Sequence, residues 1–119
     1  MANTKMGIRR ILAAFKNSWH GLKSTFVAEA AFRQELFMCV IGVVVLMLAN
    51  ITMTERVVLA VSMMCVLIAE LINTAIENIV DRIGAEYHEL SGRAKDIGSA
   101  IVLMTICTVV CVWAYVLCF

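Results

Sequence analysis

The chain has 119 residues, room for one domain, and 62% of them are hydrophobic with no proline at all, against about 45–50% apolar residues in soluble domains. A core of this size cannot hide that much apolar surface, so an ordinary soluble domain is excluded and a membrane is the expected solvent. The net charge of +1 is uninformative, but the way charge is distributed along the chain is not.

The first element is basic and amphipathic. Ile8, Ile11, Leu12, Phe15, Trp19, Leu22 and Phe26 fall on one narrow helical stripe at about 100° per residue. Arg9, Arg10, Lys16, Asn17, His20 and Lys23 lie off that stripe. A helix of this kind suits the membrane interface; packing on a protein core is the alternative. The first apolar run starts late and no small-residue cleavage site follows it, so a signal peptide is not expected.

Glu29 and Arg33 in AEAAFRQE stand four residues apart and can pair on one helix face. Charge then vanishes from Leu36 to Thr54, again from Val57 to Ala69, and again from Ile97 to Phe119. The first span is expected to run to about Ala49. A turn follows at Asn50-Ile51-Thr52, with Thr54 as N-cap of the next helix. The second charge-free run gives only about 20 Å of helix at ~1.5 Å per residue, short of the roughly 30 Å of a bilayer core. The helix must therefore continue through Glu70, which places a carboxylate at membrane depth, a functional candidate by default.

Glu70, Asn73, Glu77 and Asp81 recur every three or four residues and share an arc of roughly 80°. Ile72, Ile76, Ile79 and Val80 are assigned to the opposite side. Such a stripe serves either chemistry or hydrogen bonding across a helix interface. A helix end, a link and a restart are expected between Arg82 and Gly92, and Trp113 and Tyr115 in the last span suit an interfacial belt. The five cysteines all fall in apolar runs and are read as small hydrophobes of the membrane core.

Lys5, Arg9, Arg10, Lys16, Lys23 and Arg33 precede the first span, and Arg82, Arg93 and Lys95 flank the second link, leaving only Arg56 on the other side. The positive-inside rule then puts the N-terminus and the acidic link in the cytoplasm and the C-terminus outside. Neither G-x-x-x-x-G-K-[ST] nor G-x-G-x-x-G is present, which removes the familiar soluble nucleotide-binding architectures. Phosphoryl transfer nevertheless needs little beyond positioning, a cation and a base, and Mg²⁺ is commonly held by one or two carboxylates plus phosphates and water.

EAAFRQE, the pattern E-x-x-N-x-x-x-E-x-x-x-D-R from Glu70, and EYHELSGRAKD followed by G-S-A together resemble the bacterial integral-membrane diacylglycerol kinase family. The match is close from Glu29 to Glu35 and from Glu70 to Ala100. The resemblance implies ATP- and Mg²⁺-dependent phosphorylation of the hydroxyl of diacylglycerol to phosphatidic acid. It also implies an all-α homotrimer in the bacterial inner membrane, each chain being one domain over 1–119. That domain would hold a surface helix over about 6–28 and transmembrane helices over about 30–49, 54–82 and 92–119. By the same resemblance Glu70 is the general base, Asn73 supports either that base or the phosphoryl group, and Glu29 with Glu77 holds the metal. Those two acids, with Glu86, Tyr87, His88, Lys95 and Asp96, contact the nucleotide. Arg10, Ala14, Trp19, Arg33, Glu35 and Ser99, with Glu70, lie near the lipid. Asn17 and His20 depart from the family pattern, which expects an aromatic and a stronger base there. No nucleic-acid partner is expected. The rival readings are a small oligomeric proton-coupled transporter, with Glu70 as the binding carboxylate, and a non-catalytic assembly protein. A transporter has less need for the cytoplasmic EYHELSGRAKD link, and in an assembly protein the polar stripe would only join helices.

Overall fold

The computed structural model describes residues 4–119, with side chains from Met6 onward; Lys5, counted above among the basic residues, lies outside the described side chains. All regular structure in it is helical: α1 (Thr4–Ala28), α2 (Ala30–Leu48), α3 (Met53–Ile83) and α4 (Glu89–Cys118). The expected all-α class is found, and α2, α3 and α4 are each long and apolar enough to cross a membrane. The chain divides into two compact units, residues 1–30 and residues 31–119.

The first unit is essentially α1. Three of its hydroxyls turn back onto the helix, Ser18 Oγ donating to Ala14 O and Thr25 Oγ1 to Gly21 O at 2.8 Å each, and Ser24 Oγ to Gly21 O at 3.0 Å. Ile8, Ile11, Leu12, Phe15 and Trp19 all present exposed apolar surface. The helix ends at Ala28, and Glu29 N still donates to Thr25 O at 2.8 Å.

In the second unit, the corner between α2 and α3 is fixed by two devices. Thr52, not Thr54, is the N-cap of α3. Glu55 N donates to Thr52 Oγ1 at 3.1 Å and Thr52 N donates to Glu55 Oε1 at 2.9 Å, a reciprocal capping box. Thr54 lies inside the helix. Its threonine two residues earlier wins because only that one has a glutamate at the third helical position. Arg56 then folds back on α2, donating from Nε to Leu46 O and from Nη2 to Ala49 O, both at 2.9 Å. Those carbonyls belong to the helix end that has no intrahelical donors of its own.

α3 and α4 form the principal pairing of the unit. Trp113 bonds Ser62, Asn73 lies against Gly98, and Lys95 bonds Asp81. As the α3 number rises the α4 number falls, so the two helices run antiparallel. At 31 and 30 residues they are about 46 and 45 Å long at ~1.5 Å per residue. Both exceed the ~30 Å hydrocarbon core, so each must project beyond it. α2 approaches through Gly42, where a Cβ would collide with Met63 Sδ and lie 3.5 Å from Trp113 Cη2.

One expectation about the spans is revised. Trp113 turns inward, its Nε1 donating to Ser62 Oγ at 2.9 Å, whereas Tyr115, the other expected belt residue, is exposed. The cysteines are all free thiols, and Cys65, Cys107, Cys111 and Cys118 lie on outward faces of the apolar helices. Cys39 is part-buried, with Sγ 3.9 Å from Met63 O.

Candidate active site

The acidic face of α3 is graded in burial from one end to the other. Glu70 is only 8% exposed, Asn73 and Glu77 are half-buried, and Asp81 is exposed. Thr74, one turn beyond Glu70 on the same side, is buried as deeply. A threonine in an apolar helix carries no signal by itself; its four-residue spacing from Glu70 is the feature of the sequence that marks it. Asn73 Nδ2 donates to Glu77 Oε1 at 3.1 Å, the i,i+4 contact that helix geometry allows. One turn further, Asp81 Oδ1 accepts from Lys95 Nζ at 2.7 Å, across to α4.

The division into a polar and an apolar side needs correction. Ile72 and Ile79 are exposed on the outward face as expected, but Val80 is buried. Ile76 Cδ1 lies 3.5 Å from where a Cβ on Gly98 would stand. At about 100° per residue Val80 is only about 20° from Asn73, so it belongs to the edge of the polar stripe. Ile76 and Val80 are the apolar flank on which α4 seats.

The link between α3 and α4 is shaped by its two helix ends. Gly84 N donates to Val80 O at 3.4 Å as α3 finishes. His88 caps α4, its Nδ1 accepting from Leu90 N at 3.1 Å, so Nε2 is the ring nitrogen that the cap does not use. Glu86, Tyr87 and His88 line a cavity of about 760 Å³, within the ~300–1,000 Å³ range of small-molecule sites. The same three residues share a smaller cavity of about 250 Å³ with Asp81 and Lys95. Of the residues expected near a nucleotide, then, the link brings Glu86, Tyr87, His88 and Lys95 together. Asp96 is exposed on the next position of α4.

The residues expected near lipid are scattered over more elements. Glu35 lines an apolar cavity of about 380 Å³ with Cys39, Met63, Val66 and Trp113, between α2, α3 and α4. Arg33 is exposed on α2 and Ser99 exposed on α4, directly after buried Gly98. Arg10, Ala14 and Trp19 are exposed on α1, and Glu29 follows its last residue, half-exposed.

Among the described residues no group of three or more His, Cys, Asp and Glu side chains is arranged to hold a metal ion. Glu77 presents one carboxylate oxygen to Asn73 and has a second to offer a cation. Mg²⁺ typically takes one or two carboxylates and fills its other positions with phosphate oxygens and water. The donor set fits a metal carried in on a nucleotide better than a closed protein cage.

These features define a class: a small helical membrane protein whose ionisable groups run along a helix hairpin toward a polar, cavity-bearing link. A family model for prokaryotic diacylglycerol kinase matches residues 16–117. The diacylglycerol kinase of Escherichia coli K12 is 49% identical over 117 residues, covering 98% of this chain and 96% of that protein. The Haemophilus influenzae diacylglycerol kinase is 43% identical over 113 residues, covering 95% and 96% respectively. That of Pseudomonas aeruginosa is 39% identical over 111 residues, covering 93% and 90%. The chain belongs to the prokaryotic diacylglycerol kinase family. The lipid-kinase expectation is borne out at that level, and the transporter reading is not favoured. Membership implies phosphorylation of diacylglycerol with a nucleotide as donor, generally together with a divalent metal.

Proposed function

We propose that the chain transfers the γ-phosphoryl group of ATP to the free hydroxyl of 1,2-diacylglycerol, with Mg²⁺ on the nucleotide, at the cytoplasmic face of the bacterial inner membrane. The lipid oxygen forms the new bond to phosphorus, the bond to the bridging oxygen breaks, and phosphatidic acid and ADP result. The hydroxyl proton passes to Glu70, the general base. The metal, when bound, neutralises charge on the phosphates during transfer.

The observation that carries this reading is the sequence of groups along one face of α3. A buried carboxylate, Glu70, is followed within two turns by the Asn73–Glu77 bond and then by the Asp81–Lys95 pair. A base at membrane depth suits a lipid hydroxyl, and groups of rising exposure suit a water-borne nucleotide. Glu77 and Glu29 hold the metal–nucleotide. Glu86, Tyr87, His88, Lys95 and Asp96 bind the rest of it, Lys95 as a point charge for phosphate. Asn73 steadies Glu77 and the phosphoryl group. Arg10, Ala14, Trp19, Arg33, Glu35 and Ser99 contact the lipid.

The whole chain, 1–119, acts as one domain, with the helix over about 6–28 lying on the membrane and three spans over about 30–49, 54–82 and 92–119. Its N-terminus is cytoplasmic and its C-terminus periplasmic. Three spans are few to enclose two substrates, which supports a homotrimer with sites shared between subunits.

The test uses purified protein in mixed micelles with ATP, Mg²⁺ and diacylglycerol. Phosphatidic acid and ADP should form in equal amounts. Glu70→Gln should lower kcat by at least about 100-fold, the lower end of what a positioned base supplies, with the fold retained. Glu77→Gln should instead raise the Mg²⁺ concentration needed for half-maximal rate. Near-native kcat in Glu70→Gln removes it as the base, and an unchanged metal requirement in Glu77→Gln removes that residue as a ligand.

A further inference from the structure

Gly98 stands at the closest approach of α4 to the acidic face of α3. It is buried, and a Cβ built on it would collide with Asn73 Oδ1 and lie 3.4 Å from Asn73 Cγ. The other end of that same amide, Nδ2, donates to Glu77 Oε1 at 3.1 Å. The Asn73 side chain therefore spans the space between the α4 backbone and the Glu77 carboxylate, its oxygen turned to the glycine and its nitrogen to the acid. Nothing about helix formation calls for glycine here. In a helix interior it is about 1 kcal/mol worse than alanine, and it sits between Ile97 and Ser99 well inside α4.

We infer that Gly98 is a positioning residue for the phosphoryl-transfer site: by leaving room for the Asn73 amide, it fixes the direction in which that amide holds Glu77. The inference rests on the proposed roles of Asn73 and Glu77. Any side chain at 98 drives the amide oxygen away. The side chain can yield by turning about Cα–Cβ or about Cβ–Cγ, and because oxygen and nitrogen share one planar group either turn moves the nitrogen too, drawing it off line from Glu77 Oε1. Glu77 then keeps its charge but loses its fixed orientation toward the metal–nucleotide. A misplacement of about 1 Å in a reacting constellation is enough to cost on the order of 100-fold in rate.

The experiment is a kinetic cycle of Gly98→Ala, Asn73→Ala and the double variant, with Glu77→Gln as reference, in mixed micelles. Gly98→Ala should lower kcat by about 10- to 100-fold and raise the Mg²⁺ requirement in the direction of Glu77→Gln. The KM for diacylglycerol should stay unchanged. In the Asn73→Ala background the truncated side chain leaves room for the new methyl, so Gly98→Ala should add no further loss. If Gly98→Ala lowers thermal stability while kcat and metal dependence stay native, the glycine serves packing alone and the inference fails. An equal loss in both backgrounds overturns it too, because the effect then bypasses Asn73. Should Gly98→Ala not fold, the double variant decides. Folding with the kinetics of Asn73→Ala supports the inference, and failure to fold refutes it. If Asn73→Ala and Glu77→Gln are themselves near-native, the underlying site assignment falls and this inference with it. Impaired reference variants beside a native Gly98→Ala sink the inference alone.

Discussion

Removing the bond between Trp113 and Ser62 should uncouple α3 from α4 by a measurable amount. Trp113 Nε1 donates to Ser62 Oγ at 2.9 Å, and Ser62 Oγ donates in turn to Leu59 O at 2.6 Å. The surroundings are apolar, with Val58, Val61 and Val109 close by. Ser62→Ala strands a part-buried indole N–H, at a cost toward the lower end of the about 1–3 kcal/mol of a fully buried unpartnered donor. Trp113→Phe leaves Ser62 its bond to Leu59, but it also shrinks a ring whose edge reaches α2 at Gly42. The single variants therefore differ in side effects, and only a double-mutant cycle isolates the bond. Interhelical hydrogen bonds in membranes average about 0.6 kcal/mol and reach about 1.7. The Ser62 hydroxyl is already oriented by Leu59, so little reorganisation is needed to accept from the indole, and a coupling of about 1 kcal/mol is expected. Unfolding by graded SDS in mixed micelles, followed by circular dichroism because a tryptophan is being replaced, gives all four stabilities. A coupling within the ~0.3–0.5 kcal/mol scatter of independent sites would refute the reasoning.

Two further predictions concern residues with a structural and a functional side. His88→Asn should keep the cap of α4, since asparagine is an equally good N-cap, whereas His88→Ala should lose about 1 kcal/mol. Both should raise the KM for ATP, and a native KM in His88→Asn would reduce the imidazole to its capping role. Arg56→Met leaves Leu46 O and Ala49 O without their donor, at about 1–3 kcal/mol of stability, while kcat per folded enzyme stays native. Stability equal to wild type, measured by the same SDS titration, would show that those carbonyls find other partners.

The helical class and the three apolar helices could be read from the sequence, because a hydrocarbon solvent punishes charge over whole turns and the charge-free runs record it. The polar stripe could be read for the same local reason: spacing of three and four residues needs only one helix to interpret. Thr52 was legible too. Thr52-Met53-Thr54-Glu55 carries the capping-box signature, and Thr54 has no glutamate or glutamine three residues on. What resisted reading depends on the register between helices. Periodicity on α3 cannot say that Gly98 of α4 meets Asn73, or that Trp113 meets Ser62. Arg56 was legible as a topological charge but not as the cap of α2, since its bonds reach ten and seven residues back.

That register explains why a site built on two helices can hold its geometry. The hairpin is tied at Ser62–Trp113 and at Asp81–Lys95, and the Asn73–Gly98 contact lies between these ties. At ~1.5 Å and about 100° per residue, a slip of one position would shift α4 by ~1.5 Å and turn Gly98 away from Asn73. Ile97 or Ser99 would then face the amide, and either brings the Cβ that Gly98 lacks. A slip would also break both ties at once, one set in apolar surroundings and one beside the polar link. The two ties are unlike in chemistry, since high salt weakens the exposed ion pair but leaves the indole–hydroxyl bond intact. One of them can therefore loosen while the other keeps the register, and the Asn73 amide stays directed at Glu77.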